Sequence, residues 1–338
     1  MMAFDRILVG VDGSPASLIA LRQAIRLRAA DGHLCALTIV NSALAVHAGF
    51  EAPRAAAQLH AAGMAAREAA IDVVAGLGRV ETRLIEGRPG PAIRSIASRD
   101  QFDLIAVGSH GGTRTGGTLL ASVATELVHQ AHCSVLLTRP SEDPTGFPRQ
   151  IVVGVDGSDE SQQALSVAIG LATRLDAELR VIAAEGGKHI DRDEVCNLSP
   201  THPTVFVADA PVDALVAASS DTDLVIIGSR GLHGPRALGS VSERVAHQAD
   251  CSVLIIRPDG NAISSVNSLR ATPHKRRPQT EPPSIAPPPP AAAAQAFVTS
   301  EEPCTTVGSS YSPPPRPSYA QPPPLPASPR TRSPNRTT

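Results

Sequence analysis

Two stretches of this chain have the composition of an anion cradle. The first, Gly108–Ser122, is rich in Gly, Ser and Thr and runs directly into a helix-forming segment. Glycines let backbone N–H groups come close to phosphate oxygens. A helix N-terminus adds free donors and a partial positive charge, together contributing about 0.3–1 kcal/mol at an exposed site. His110 and Arg114 bring charge or further donors, and Ser109, Gly111, Gly112 and Thr113 complete the near side of the loop. The second stretch, Gly228–Ser240, repeats the first in shortened form with Ser229, Arg230, Gly231 and Gly239. Neither is a Walker A loop, since no Gly-Lys-Ser/Thr follows, and neither is a GxGxxG fingerprint after the first strand. Glycine-rich loops in α/β folds are often tight turns and nothing more. On the residues alone both an anion or nucleotide site and a plain turn stay open.

Such loops need a sheet to hold them. Ile7–Val11 is a short β-branched run ending in Gly10, Asp12 and Gly13. Ser14 then suits an N-cap and Pro15 a first helical turn. Leu18, Leu21, Ile25 and Arg28 follow at helical spacing, and Asp31-Gly32 is expected to end that helix. Strands are expected at Leu34–Val40, Val80–Ile85, Leu104–Val107 and Val135–Thr138, with helices at Ala55–Leu77, Pro91–Ser98 and Ser122–Gln130. Strict alternation of β and α argues for a parallel sheet covered on both faces. Ligands of such sheets bind at the carboxyl ends of the strands, where strand order reverses. Asp12 and its counterpart Asp156 have a plainer reading as turn residues accepting local N–H bonds.

The chain repeats itself. ILVGVDGSPAS at Ile7 returns as IVVGVDGSDES at Ile151, 144 residues on; DLIAVGSHG at Asp103 returns as DLVIIGSRG at Asp223, 120 on; VHQAHCSV at Val128 returns as AHQADCSV at Ala246, 118 on. The falling offset places a loss of 24 residues between the first and fourth strands of the second copy, and of 2 more inside its glycine-rich loop. Second-copy strands are expected at Ile151–Val155, Leu179–Ala183, Thr204–Val207, Leu224–Ile227 and Val253–Ile256. Lys188–Pro203 lacks an amphipathic period, so the long second helix is expected to be missing there. The domains are read as 1–140 and 149–258, divided at the proline-bearing Arg139–Arg149. Residues 259–338, with SPPPRPSYAQPPPLP from Ser312, read as a disordered tail that could present polyproline segments to an unknown protein.

Composition narrows the class. Aromatics are 2% with no Trp, so the core has to be Val, Ile, Leu and Ala, the palette of a helix-covered parallel sheet. A net charge of −2 gives no field favouring nucleic acid or a membrane surface. No apolar run reaches the ~18 residues of a membrane span, and Met1–Arg6 lacks signal-peptide features, so the expected location is the cytoplasm. The 5 cysteines form no CxxC pair, which supports neither a zinc site nor a disulfide framework. Cys133 and Cys251 are expected in the core, and His129 and His247 at helix ends.

Together the VGVDGS turn, the DLIAVGSHG and DLVIIGSRG strands, and the Ser-Val helix leading to CSVL resemble the universal stress protein family over about Ile7–Pro258. The resemblance implies two tandem five-stranded, flavodoxin-like (Rossmann-like) α/β domains, the second shortened. Some members bind ATP through Gly-x2-Gly-x9-Gly-Ser/Thr; others lack the motif and do not. The first copy keeps the spacing but has Ala121 for the third glycine before Ser122. The second keeps the residue types but has 7 residues between Gly231 and Gly239, with Pro235 among them. Carried over, the family roles place Asp12 and Asp156 by adenine or ribose and Val40 beside the base. Gly108–Arg114 and Gly228–Gly234 would hold ribose and phosphates, and Ser122-Val123 and Ser240-Val241 the outer phosphates. The implied function is an ATP-binding regulatory protein, with or without Mg, in which the last strands of the copies pair as a pseudo-dimer and further dimerisation is open. A nucleotide-free scaffold and a slow ATPase are the alternatives. No acidic pair or general base in the loops favours the enzyme.

Overall fold

A computed structural model describes residues 4–109, 120–141, 145–187, 190–229 and 240–257, apart from the side chains of 47–50 and 240. All belong to one unit, Met1–His274; Lys275–Thr338 is a second. The first copy runs β1 (Phe4–Gly10), α1 (Pro15–Leu27), β2 (Arg28–Val40), a 3-10 helix (Ser42–Glu51), α2 (Ala52–Val74), β3 (Val80–Glu86), α3 (Pro89–Arg99), β4 (Leu104–Gly108), α4 (Ser122–Gln130) and β5 (Ser134–Thr138). The second runs β6 (Gln150–Gly154), α5 (Asp159–Leu175), β7 (Glu178–Ala184), α6 (Arg192–Leu198), β8 (Thr204–Val207), α7 (Pro211–Ala218), a 3-10 turn (Ser219–Asp221), β9 (Leu224–Gly228), α8 (Ser240–Gln248) and β10 (Ser252–Ile256).

The strands form one sheet in the order β3-β2-β1-β4-β5-β10-β9-β6-β7-β8. Neighbours run parallel within each copy. The copies meet where β5 and β10 pair antiparallel, with Leu136 opposite Leu254. Alternate residues serve opposite faces. Ile7 and Val9 of β1 join Leu21, Leu27 and Ala70 on one side, while Leu8 joins Ile93, Leu127 and Leu137 on the other. Each buried Val, Ile or Leu side chain contributes roughly 1.5–3 kcal/mol over leaving it exposed. A one-residue slip would exchange the faces, so the apolar alternation fixes the register.

One expectation is corrected and two regions gain detail. The first helix stops at Leu27, short of Asp31-Gly32. Arg28 is already extended while its N–H bonds back to the Ala24 and Ile25 carbonyls, and β2 starts through an irregularity between its pairings with Phe4 and Arg6. In place of the long second helix, residues 190–203 hold only the short α6, which forms because Asp191 caps it, accepting from the Asp193 and Glu194 amides, and Val195 is buried. The proline-bearing connection contributes to packing, because Phe147 is fully buried in the core shared by both copies.

Candidate functional site

Within each copy the strand order reverses between the first and fourth strands, β1 and β4 or β6 and β9. The carboxyl ends of those pairs form two mouths on equivalent frames. After β1 the chain turns at Gly13, whose φ of +80° strains any L side chain; Gly157 repeats this at +82°. The aspartate before each glycine shapes the turn. Asp12 Oδ1 accepts from the Ser14 amide at 3.0 Å and from its hydroxyl, and Asp156 Oδ1 accepts from the Ser158 amide at 3.1 Å and from that hydroxyl. Ser14 and Ser158 in turn cap α1 and α5 by accepting from the Ser17 and Ser161 amides. Burial acts to raise the Asp12 pKa, but the Ser14 bonds and the contact with Ser17 outweigh it, and its carboxyl lies below the usual range. The turn role of both aspartates is therefore occupied.

The fourth strands supply the other lip. A Cβ on Gly108 would stand 2.9 Å from Ala16 Cβ and 3.0 Å from Ala16 C; on Gly228 it would overlap the Glu160 carbonyl. These two glycines are fixed by the approach of α1 and α5, which accounts for them without a phosphate. Gly10 lies on the β1 lip beside Val107 and Ile93. The buried Ser109 and Ser229 donate their N–H to the Thr138 and Ile256 carbonyls, tying each lip to the last strand of its copy.

At α4 the helix start lies against this lip, because the Ala121 N–H donates to the Ser109 carbonyl at 2.9 Å. Ala121 is the N-cap residue with φ −60° and ψ 153°, so the methyl that replaces the family glycine meets no backbone strain. Alanine has no side-chain acceptor, so the N-cap residue itself does not cap α4. The first-turn amides of Ser122 and Val123 are among those an α-helix leaves without a partner inside the helix. The Val123 and Val241 side chains pack on the core, so these residues offer a ligand their backbone. In the second copy Ser242 Oγ donates to the Gly228 carbonyl at 3.0 Å and joins α8, begun by Ser240, to its lip.

Val40, the last residue of β2, packs against α2. Its side chain is 3% exposed, and a Cβ on Gly63 of α2 would overlap it. Its carbonyl accepts from the Gly87 amide. Val40 is thus engaged through both its side chain and its carbonyl. His110, Gly111, Gly112, Thr113, Arg114, Arg230, Gly231 and Gly239 lie outside the described residues, as do 259–338. Cys133 and Cys251 are buried, and burial pushes both thiols up to about 12, away from nucleophile chemistry. His129 and His247 sit in the last turns of α4 and α8. Among the described residues no group of His, Cys, Asp and Glu could hold a metal ion, and no helix is long and apolar enough to cross a membrane.

The sequence reading missed three features. One is Glu194 of α6, whose carboxylate oxygen comes within 3.7 Å of where a Cβ on Gly157 would stand. The acidic first turn behind Asp191 was its available signal. The others are the buried arginines Arg139 and Arg257, for which Arg-Pro after a strand gives no distinctive sign.

Comparison with known proteins agrees with this architecture. Residues 3–139, 148–184 and 197–257 match the universal stress protein family. The universal stress protein Rv2623 of Mycobacterium tuberculosis is 29% identical over 290 residues, covering 74% of this chain and 96% of the relative. A second protein of that organism, universal stress protein Rv2005c, is 30% identical over 209 residues, covering 53% of this chain and 69% of the relative. The crystal structure of a universal stress protein from Archaeoglobus fulgidus superposes with a TM-score of 0.52 at 20% identity, covering 74% of this chain and 95% of that one. The chain belongs to the universal stress protein family.

Proposed function

We propose that this protein binds ATP, with or without Mg, at the mouth of its first copy, and that occupancy modulates conformation or assembly. The observation that carries this is the start of α4 at the switch point, where the N-cap is an alanine without a side-chain acceptor and its N–H joins the β4 lip at the Ser109 carbonyl. Anions are favoured there by the backbone N–H groups of a helix start and by the helix dipole. The Ser122 and Val123 amides would hold the outer phosphates, with Ser109 and the loop that follows it nearer the ribose. The role is regulatory, not catalytic, and goes with a cytoplasmic location. Residues 1–140 and 149–258 act as the two domains, and the β5–β10 pairing supports their working as the subunits of a pseudo-dimer. At the second mouth Glu194 favours a nucleotide-free, scaffolding role.

The full-length protein, purified, denatured and analysed for released nucleotide, should yield ATP, with negligible turnover before denaturation. In titrations Ser122→Pro should weaken ATP binding roughly tenfold or more by deleting one charge-assisted donor. Proline is accepted at a first helical position, and Ala121 already has the extended backbone that a pre-proline residue needs. Absence of nucleotide both on release and in titration would overturn the proposal.

A further inference from the structure

The residues that directly follow the two paired strands are buried arginines, Arg139 after β5 and Arg257 after β10, at 7% and 1% exposure. Each side chain crosses into the opposite copy. Arg139 Nη1 donates to the Cys251 carbonyl at 2.9 Å and Nη2 to the Ala246 carbonyl at 2.7 Å. Arg257 Nη2 donates to the Val128 carbonyl. The backbones repeat the exchange, with the Arg139 N–H donating to Ser252 Oγ at 3.0 Å and the Arg257 N–H to Ser134 Oγ at 3.3 Å. Arg139 and Arg257, Val128 and Ala246, and Ser134 and Ser252 are each 118 positions apart. The copies therefore meet as identical subunits would about a two-fold axis.

The acceptors explain why arginine stands there. Val128 and Ala246 are third from the ends of α4 and α8, among the four carbonyls a helix leaves without an internal partner. Arg139 brings both fork donors and Arg257 one, each with positive charge, to the negative end of the helix. Burial lowers both arginine pKa values, opposed by Cys251 and Asp250 near Arg139 and by Cys133 near Arg257.

The same two helices start at the mouths. Ala121 bonds Ser109, Ser109 bonds Thr138, and the next residue is Arg139; in the second copy Ser229 bonds Ile256, and the next residue is Arg257. We propose that Arg257 is a positioning residue for α4 and Arg139 for α8, so that each copy sets the helix at the other's mouth and the second copy senses nucleotide held by the first. The sensing rests on the function proposed above; the positioning does not.

The test compares full-length wild type with Arg257→Met, which keeps the bulk, and Arg257→Lys, which keeps the charge without the fork. Hydrogen exchange by mass spectrometry follows α4 and α1, with and without ATP, and calorimetry gives ATP affinity. Arg257→Met should speed exchange in α4 roughly tenfold while α1 is unchanged, as loss of a charge-assisted bond implies. It should weaken ATP binding at the first mouth several-fold, although the substitution lies in the second copy. Arg257→Lys should fall between, and it decides the question in the same way if the Met variant does not fold. In wild type ATP should add protection at Ser252–Arg257. Unchanged α4 exchange in a folded variant overturns the positioning role. Altered exchange with unchanged ATP affinity overturns the sensing. Altered exchange in a protein whose wild type binds no ATP overturns the proposed function and leaves the positioning standing.

Discussion

The two mouths share one frame and differ in what covers it. Asp12, Gly13, Ser14 and Ser17 make the same turn as Asp156, Gly157, Ser158 and Ser161, bond for bond. Over the first lies α2, 23 residues long, with Ala66 3.1 Å from where a Cβ on Gly13 would stand and Gly63 against Val40. Over the second lies α6, 7 residues long, which turns Glu194 toward Gly157 with Asp191 and Asp193 beside it. The turn is therefore scaffold. Under the proposed function, ligand preference would follow from the cover and from the helix start on the opposite lip, with a carboxylate at the second mouth opposing a triphosphate.

Several substitutions test that contrast, beginning with the largest effect. Gly228→Ala puts a methyl into backbone and should cost about 3 kcal/mol or more in urea unfolding, whereas Gly108→Ala should cost about 1–3 kcal/mol. Equal costs would mean the lips are packed alike. Ala121→Asp should move two observables in opposite directions. Its carboxylate caps α4, raising stability by about 1 kcal/mol, and excludes phosphate, lowering ATP affinity tenfold or more. A stabilised variant that still bound ATP normally would separate the ligand from this helix start.

The far ends of the fourth strands differ as well. Buried Asp103 accepts from the Asp5 and Arg6 amides, yet burial pushes its pKa up to about 6. Asp223, its counterpart, accepts from the Arg149 and Gln150 amides and from the Ser141 hydroxyl. The folded state holds the Asp103 proton more tightly than the unfolded chain, whose aspartate pKa is near 4. Stability from this group is therefore complete below that value and falls as pH rises toward about 6. Asp103→Asn should remove roughly 1–3 kcal/mol of that slope, read from unfolding at a series of pH values. The smallest effect is expected from Glu194→Gln, which should raise ATP affinity at the second mouth a few-fold at low salt and little at high salt.

Much of this was legible in the sequence because it is written locally. The repeat marks both turns, Ser122–Gln130 has the bounds of α4, and Thr204–Val207 those of β8. What escaped depends on distant partners. Asp31-Gly32 looks like a helix stop, but Arg28 had already turned extended to pair with Phe4. Seven residues are too few to show the period of α6, although Asp191 and the acids behind it form a legible cap. Gly108 and Gly228 read as phosphate glycines, and only the packed structure brings Ala16 and Glu160 against them. An arginine after a strand reads as surface, so the burial of Arg139 and Arg257 emerges only once β5 and β10 meet.

Counting nucleotides per chain tests the difference between the mouths most directly. Native mass spectrometry of the full-length protein with excess ATP should show one nucleotide bound, lost in Ala121→Asp and retained in the matching Gly239→Asp. Two nucleotides per chain, or one lost only when the second copy is altered, would contradict the account.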